Sequence, residues 1–271
     1  MDNDVPWENV EVFLTHFHDD HDENLQYVLD RGAGAFYSGP AVPWTEASRE
    51  AFLRQTGALR AGDRAISDWA DILMGRDHFT PELEERVRQL PEGEALSIAG
   101  YDLEVLYTPG HDPWSMRACS NGSTASSSRA TICSIPLRGS CSSMRRAGCS
   151  SAFFESLHDI RAMRLRTAFM SHRDSFTSAD EVNAFIDSVF AKYEKPLDRV
   201  RGLVRELGPV SVYELARSFY AYLPQGLAGE PENRRVRRVA IPFAYLEYLV
   251  EHGEAERHED GDGCFLYVAT R

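Results

Sequence analysis

Three histidines and two aspartates stand within six consecutive residues near the start of the chain, in the segment His16-Phe17-His18-Asp19-Asp20-His21. Imidazole nitrogens and carboxylate oxygens are ligands that zinc, iron and manganese take in proteins. At this spacing His16 and His18 can face one ion while Asp20 and His21 face a neighbouring one. A lone histidine in such a loop is most often an ordinary surface residue, but four potential ligands together favour a metal site.

The histidine loop directly follows residues 10–14, a short apolar run that is typical of a buried strand. Two further histidines follow strand patterns in the same way. His111 comes after the hairpin pattern of residues 95–107, and His172 comes after the apolar residues 167–170. Because ligands of α/β proteins collect at the carboxyl ends of strands, we expect the three loops to converge on one site.

These motifs resemble those of a known family. Leu14-Thr15-His16-Phe17-His18-Asp19-Asp20-His21 is similar to the HxHxDH signature of the metallo-β-lactamase superfamily, and Thr108-Pro109-Gly110-His111 is similar to its next ligand motif. The resemblance implies an α/β fold, the αββα metallo-β-lactamase sandwich, which is incomplete in this chain. It also implies a cofactor of two zinc ions.

The same resemblance assigns the candidate ligands to two metal ions. It assigns His16, His18 and His111 to a first metal, and Asp20, His21 and His172 to a second, with Asp20 also in a catalytic role. Ser171-His172-Arg173 matches the family's Gly-His-Gly only loosely, and His78, His158, His252 and His258 lack any such context. The implied activity is hydrolysis of a thioester, ester or phosphodiester by a metal-bound hydroxide. Because the imidazoles must be neutral to bind metal, activity should fall in acid.

The family's bridging aspartate, usually in a Gly-Asp-His at the end of a strand, has no counterpart here. Residues 113–154 contain no aspartate or glutamate, and residues 117–151 are rich in serine and lack any periodicity of helix or strand. Shifted by one base, the codons of residues 117–136 can encode Ile-Val-Phe-Ser-Gly-Asp-His, whose Asp spans the codons of Ala130 and Thr131. We therefore interpret residues 117–151 as a frameshifted segment.

Two expectations follow from this break. The chain as written should hold one metal or none and hydrolyse slowly, because the second ion has lost its bridging ligand. About nine residues precede the first strand, where the family normally has one or two hairpins, so we also expect a truncated N-terminus. Gene sequence that reads in the present frame through codons 110–155 would contradict the frameshift.

The C-terminal third predicts a second domain. Residues 180–193, 197–207, 211–222 and 242–251 have helical patterns, and residues 254–258 and 264–268 are two strands around a Gly- and Asp-rich turn. Three helices and a hairpin resemble the winged-helix domain that follows the lactamase fold in the lactamase-like protein 2 group. We predict domains at 1–196 and 197–271, and a helical insertion or lid at residues 45–90.

The alternative function is that of a nucleic-acid-binding regulator that acts through the winged helix. The run Arg234-Arg235-Val236-Arg237-Arg238 could hold a phosphate backbone or an acidic substrate tail, but it could equally be a solvated loop. The net charge of −13 repels nucleic acid. A small ester or thioester, or an RNA, is the expected substrate, and nucleic-acid binding is disfavoured.

Composition sets the remaining expectations. The chain is 43% hydrophobic and has no apolar run long enough for a membrane span, and residues 1–9 lack the features of a secretory signal. We expect a cytoplasmic protein with no membrane partner. Four of the five cysteines fall within residues 117–151 without CxxC spacing, so they predict neither a disulfide framework nor a zinc site.

Overall fold

The structure is a computed structural model that describes residues 6–16, 19–40, 45–63, 66, 81–98, 101–110, 116–119, 130–132, 149–170 and 174–270. Contacts between residues divide the chain into two compact units. We call Met1–Val42, Arg76–Pro136 and Ser156–Phe185 the first unit. We call Pro43–Gly75, Leu137–Glu155 and Ile186–Arg271 the second unit.

The described helices, in chain order, are α1 Asp19–Asp22, α2 Leu25–Asp30, α3 Glu46–Thr56, α4 Ala58–Ala61, α5 Pro81–Arg86, α6 Cys149–Met163, α7 Ala179–Leu207, α8 Val212–Phe219 and α9 Glu232–Glu251, with 3-10 turns at Trp7–Asn9 and Leu227–Gly229. The described strands are β1 Glu11–Leu14, β2 Ala35–Ser38, β3 Val87–Gln89, β4 Ala95–Ile98, β5 Tyr101–Tyr107, β6 Met116–Cys119, β7 Ala130–Ile132, β8 Thr167–Phe169, β9 Val210–Ser211, β10 Ala255–Glu259 and β11 Phe265–Ala269. None of these helices has the length and apolar composition needed to cross a membrane.

The first unit contains two sheets. One has the strand order β1-β2-β3, with both pairs parallel. The other has the order β4-β5-β6-β7-β8, antiparallel except for the parallel pair β7 and β8. Strands β1, β5 and β8 are those after which the histidine motifs stand, as their apolar patterns predicted.

Neighbouring side chains of β1 point to opposite faces of the sheet, and each face packs against a different buried cluster. Leu14 belongs to a buried cluster with Leu25 and Leu29, which lie one turn apart on α2. Phe13, which points to the opposite face of β1, packs with Val105 of β5 in another cluster. The two sheets therefore face each other, and α2 covers the outer face of the first. The α/β class predicted from the sequence is confirmed.

Residues 117–151 lack any periodicity of helix or strand, yet their described part contains both. Strands β6 and β7 lie within this stretch, apart from Met116, and α6 begins at its end. In the second sheet Ala118 pairs with Val105 and Ala130 with Thr167. Main-chain hydrogen bonds to strands on either side do not require an apolar period, so tertiary context overrides the local pattern. The frameshift itself stays a prediction.

The second unit is built around a buried core that includes Leu215, Leu246 and Tyr267. Its sheet has the order β10-β11-β9. Helix α8 starts with a capping box: Glu214 N–H donates to the Ser211 hydroxyl, and the Glu214 carboxylate accepts the Ser211 N–H.

Two helix predictions for this unit need correction. The patterns at 180–193 and 197–207 form one helix, α7, which continues through Pro196. Proline in a helix interior costs about 3 kcal/mol, but burial of Val200 and Val204 after it stabilises the helix. The helix expected from Pro242 is α9 and begins ten residues earlier, at Glu232, because Val236 and Val239 are also buried.

Residues 45–90 were predicted to be a helical insertion or lid, but two of their described helices contribute to a buried core. Phe52 and Leu53 of α3 and Ala58 of α4 are buried in the same core as Leu215 and Leu246. By these contacts, α3 and α4 belong to the same core as the C-terminal residues. The domain boundary at 197, as a limit of independent folding, stays a prediction.

Acid should destabilise the second unit through Glu254. Arg201 donates to both Glu254 carboxylate oxygens, at 2.6 and 2.9 Å, and this pairing lowers the pKa of Glu254. A lowered folded-state pKa stabilises the protein above the unfolded pKa, and the stabilisation is lost as pH falls through the folded one. We expect the thermal unfolding midpoint to fall between about pH 6 and about pH 3, and Glu254→Gln to reduce that fall. The matched variant Glu206→Gln, at an exposed position of α7, should leave it unchanged; equal effects of the two would contradict the assignment.

Candidate metal centre

His16 is the best-defined residue of the predicted site. It lies in the loop just beyond the end of β1 and is only 3% exposed. Its Nδ1 lies 3.1 Å from the Thr15 hydroxyl, which is also buried. A metal-binding histidine usually has one ring nitrogen held by such a partner, which fixes the ring, and coordinates through the other. Nε2 of His16 is thus the nitrogen suited to a metal.

His21 lies beside His16. It is half-buried on the short helix α1, and the centroids of the two imidazole rings are 4.1 Å apart with an angle of 52° between their planes. Rings this close can bind one ion, or two ions at the separation of about 3.5–4 Å found in two-metal sites. Neutral imidazoles suit zinc, so the residues present fit the implied metal.

The other predicted ligands are described only in part or not at all. Asp20 is placed in the backbone of α1, but its side chain lies outside the described residues, as do His18, His111 and His172. Within the described residues, no group of three or more His, Cys, Asp or Glu side chains could hold a metal ion. The ligand assignment therefore stays a prediction, of which the structure brings together His16 and His21.

Buried polar side chains of the first unit stand mainly at the ends of strands. Burying a polar group costs free energy unless it is hydrogen-bonded, so such groups are sparse in a core and mark functional sites. Those in the described part of the unit lie at the ends of strands or on helices: Thr15, His16, Asp22, Ser38, Thr108 and Ser156. The ends of β1, β2 and β5 are all represented.

Sequence reasoning missed Asp22. It directly follows His21 at the end of α1 and is 1% exposed, although aspartate side chains are almost never fully buried unless they are paired. A buried carboxylate needs donors or a cation near it. The only signal in the sequence is its place next to the HxHxDH motif.

The loop that precedes His111 is held from two sides. Tyr107, the last residue of β5, donates its N–H to the Glu92 carboxylate at 2.5 Å. The Ser156 hydroxyl donates to the Pro109 carbonyl at 3.0 Å. Gly110 has φ +124°, a conformation that side chains with a Cβ rarely adopt. The Thr108-Pro109-Gly110 turn is thus fixed up to the residue before the histidine.

Partial burial raises the pKa values of two groups that hold this loop, the Glu92 carboxyl and the Tyr107 hydroxyl. Burial, and secondarily the charge of Glu104, raises the pKa of Glu92, although the N–H of Tyr107 opposes the shift. Burial, followed by the charge of Glu92, also raises the pKa of the Tyr107 hydroxyl, which donates to the Leu90 carbonyl at 2.5 Å. Tyr107 therefore remains a hydrogen-bond donor at neutral pH.

Known proteins resemble the chain in structure. No protein-family model and no curated protein matches its sequence. Among solved structures, a metallo-beta-lactamase family protein from Thermus thermophilus is similar with a TM-score of 0.60 and 23% identity, covering 97% of this chain and 81% of that one. A beta-lactamase domain protein from Burkholderia ambifaria is similar with a TM-score of 0.64 and 19% identity, covering 96% and 74%.

These similarities establish the fold. The chain has the metallo-β-lactamase fold, which the resemblance of its histidine motifs led us to expect. At this level of identity the fold does not carry a substrate with it, because one fold supports many activities.

Proposed function

We propose that this chain is a metal-dependent hydrolase that cleaves a thioester, an ester or a phosphodiester. The observation that carries the proposal is the pair of adjacent imidazoles, His16 and His21, at the carboxyl end of β1 in a metallo-β-lactamase fold. A buried histidine with a second imidazole tilted beside it suits a metal site better than an apolar core, because a buried polar ring needs a partner.

The proposed ligands are His16, His18 and His111 for a first zinc, and Asp20, His21 and His172 for a second. When bound, the metal supplies a nucleophile by lowering the pKa of a water molecule, and it polarises the electrophile. The chain's own residues hold this chemistry in place. Thr15 orients the His16 ring, and burial of His16 keeps bulk water from that side of the site.

We also propose that β9, α8, α9, β10 and β11, with the end of α7, form a winged helix. In support, the strands form one sheet in the order β10-β11-β9 and the helices pack on a common core. Its role would be structural or in substrate selection rather than nucleic-acid binding.

The charges of the second unit support a small substrate over nucleic acid. In the arginine run of α9, Arg235 pairs with Asp63 at 2.9 Å and Arg238 with Glu230 at 3.1 Å. Both guanidinium groups are therefore neutralised within the protein. The β10–β11 turn carries Asp260 and Asp262, which share one cation, Arg60, so these three side chains keep a net negative charge that repels phosphate.

Metal analysis of a histidine variant tests the proposal. Zinc-loaded chain and His16→Ala are passed through a desalting column, and metal per chain is measured by elemental analysis. We expect His16→Ala to retain far less metal than the wild type, because it removes a buried ligand. His258→Ala, at an exposed position of β10, is the matched control and should retain the wild-type amount. Equal metal in wild type and His16→Ala would exclude the site.

A further inference from the structure

The turn between β3 and β4 is tied to the end of β5 by several hydrogen bonds. Besides the bonds that Tyr107 makes to Glu92 and Leu90, Gly93 N–H donates to the Val105 carbonyl at 2.8 Å and Val105 N–H donates to the Glu94 carbonyl at 2.9 Å. Both the main chain and the side chain of Tyr107 are therefore held by residues of one turn.

The same turn reaches the first sheet. Leu90 N–H donates to the carbonyl of Ser38, the last residue of β2, at 2.8 Å, and the Ser38 side chain is 1% exposed. Leu90 also accepts the Tyr107 hydroxyl. Through this one residue, the carboxyl end of β2 is coupled to the carboxyl end of β5.

Ser156 secures the other side of the loop. It is 5% exposed on α6, and its hydroxyl reaches across 47 residues of sequence to the Pro109 carbonyl. Proline has no N–H, so Pro109 cannot be held by a main-chain donor bond of its own. The Ser156 hydroxyl contacts the one hydrogen-bonding group of the Pro109 main chain, two residues before His111.

We propose that Glu92 and Ser156 are positioning residues that together fix the Thr108-Pro109-Gly110 turn and thereby set the affinity of the His111 metal site. Neither residue contacts the metal in this proposal. They act because a ligand delivered by a loop binds metal tightly only when the loop is already in place, so that little ordering is required on binding. The inference rests on the proposed metal site and adds to it residues outside the ligand set.

The chain offers matched variants for both positions. Glu92→Ala removes the acceptor of the Tyr107 N–H, whereas Glu92→Gln keeps a carbonyl oxygen that can accept it. Glu92 is exposed as a whole residue and only its carboxylate is partly desolvated, so neither change removes a side chain from the core. Ser156→Ala removes the donor to Pro109, whereas Ser151→Ala removes a serine hydroxyl of the same helix that bonds Glu251 instead.

The experiment measures zinc affinity by competition with a chelating dye, together with the absorption spectrum of the cobalt-loaded protein and amide exchange of Tyr107 in metal-free protein. We expect Glu92→Ala and Ser156→Ala each to weaken zinc binding by about 10-fold, the lower end of the range for residues that orient metal ligands without contacting the metal. Both should alter the cobalt spectrum, and Glu92→Ala should speed exchange at Tyr107. Glu92→Gln and Ser151→Ala should behave as the wild type.

Each outcome decides between the claims. If the wild type binds zinc and the two alanine variants bind it equally well, the positioning role is wrong while the metal site stands. If all variants, including Ser151→Ala, weaken binding in proportion to a loss of thermal stability, the residues contribute to folding only. If the wild type binds no zinc and no cobalt, the proposed function and this inference both fail.

Discussion

The chain as written is expected to hold at most one metal and to hydrolyse slowly. Restoring the Gly-Asp-His segment is expected to give a protein that binds two metals and hydrolyses its substrate faster by several orders of magnitude. The repaired chain carries the one-base-shifted reading of residues 117–151, which places an aspartate between the positions of Ala130 and Thr131. In the present structure these residues begin β7, which lies parallel to β8 in the second sheet. In the shifted reading the aspartate follows the apolar run Ile-Val-Phe, so a strand formed by that run would end at the aspartate and bring its carboxylate to the same sheet edge as the residues after β5 and β8.

The size of the effect follows from charge. Two dications a few ångströms apart repel each other strongly unless an anionic ligand lies between them. Without the bridging aspartate, the second ion, assigned to Asp20, His21 and His172, should be lost first. The nucleophile then loses the positioning that a second ion supplies.

Elemental analysis and turnover of a panel of thioesters, esters and phosphodiesters, on original and repaired chains, check this prediction. The repaired chain with the restored aspartate changed to asparagine is the control, since it has the same fold without the anionic ligand. Two tightly bound metals and full turnover in the original chain would show that another residue replaces the aspartate.

Asp63→Ala is expected to destabilise the second unit by about 3–5 kcal/mol, the usual effect of breaking a buried ion pair from one side. The Asp63 side chain is 5% exposed and accepts from Arg235 at 2.9 Å and from the Tyr213 hydroxyl at 3.0 Å. Its removal breaks the ion pair of a largely buried guanidinium. Desolvation and Asp63 together raise the pKa of Tyr213 to about 12, so the hydroxyl stays protonated and donates.

Denaturant unfolding with two comparison variants separates the contributions. Tyr213→Phe removes one neutral donor and should cost about 1 kcal/mol. Replacing both partners, as Asp63→Leu with Arg235→Met, should cost much less than Asp63→Ala, because no charge is left buried. A loss below about 1 kcal/mol in Asp63→Ala would mean that water replaces the carboxylate and that the pair does not hold α4 to the core.

The sequence by itself determined the local features of the site. The HxHxDH segment, the strand before it and the Thr108-Pro109-Gly110-His111 motif are each contiguous, so their residue types and spacing predicted a metal site, and their resemblance to a known family predicted the fold. The apolar alternation of residues 95–107 predicted two paired strands for the same reason, since neighbouring strands joined by a short turn leave their signal in one stretch of chain.

Only the tertiary structure decided which residues far apart in sequence meet. The pairing of Arg235 with Asp63, the reach of Ser156 to Pro109 and the packing of α3 and α4 with the C-terminal helices leave no periodic signal. Burial of Asp22 and strand formation in residues 116–119 and 130–132 likewise depend on neighbours elsewhere in the chain. A local pattern records the preferences of one segment, whereas burial and pairing are fixed by the surfaces that other segments bring to it.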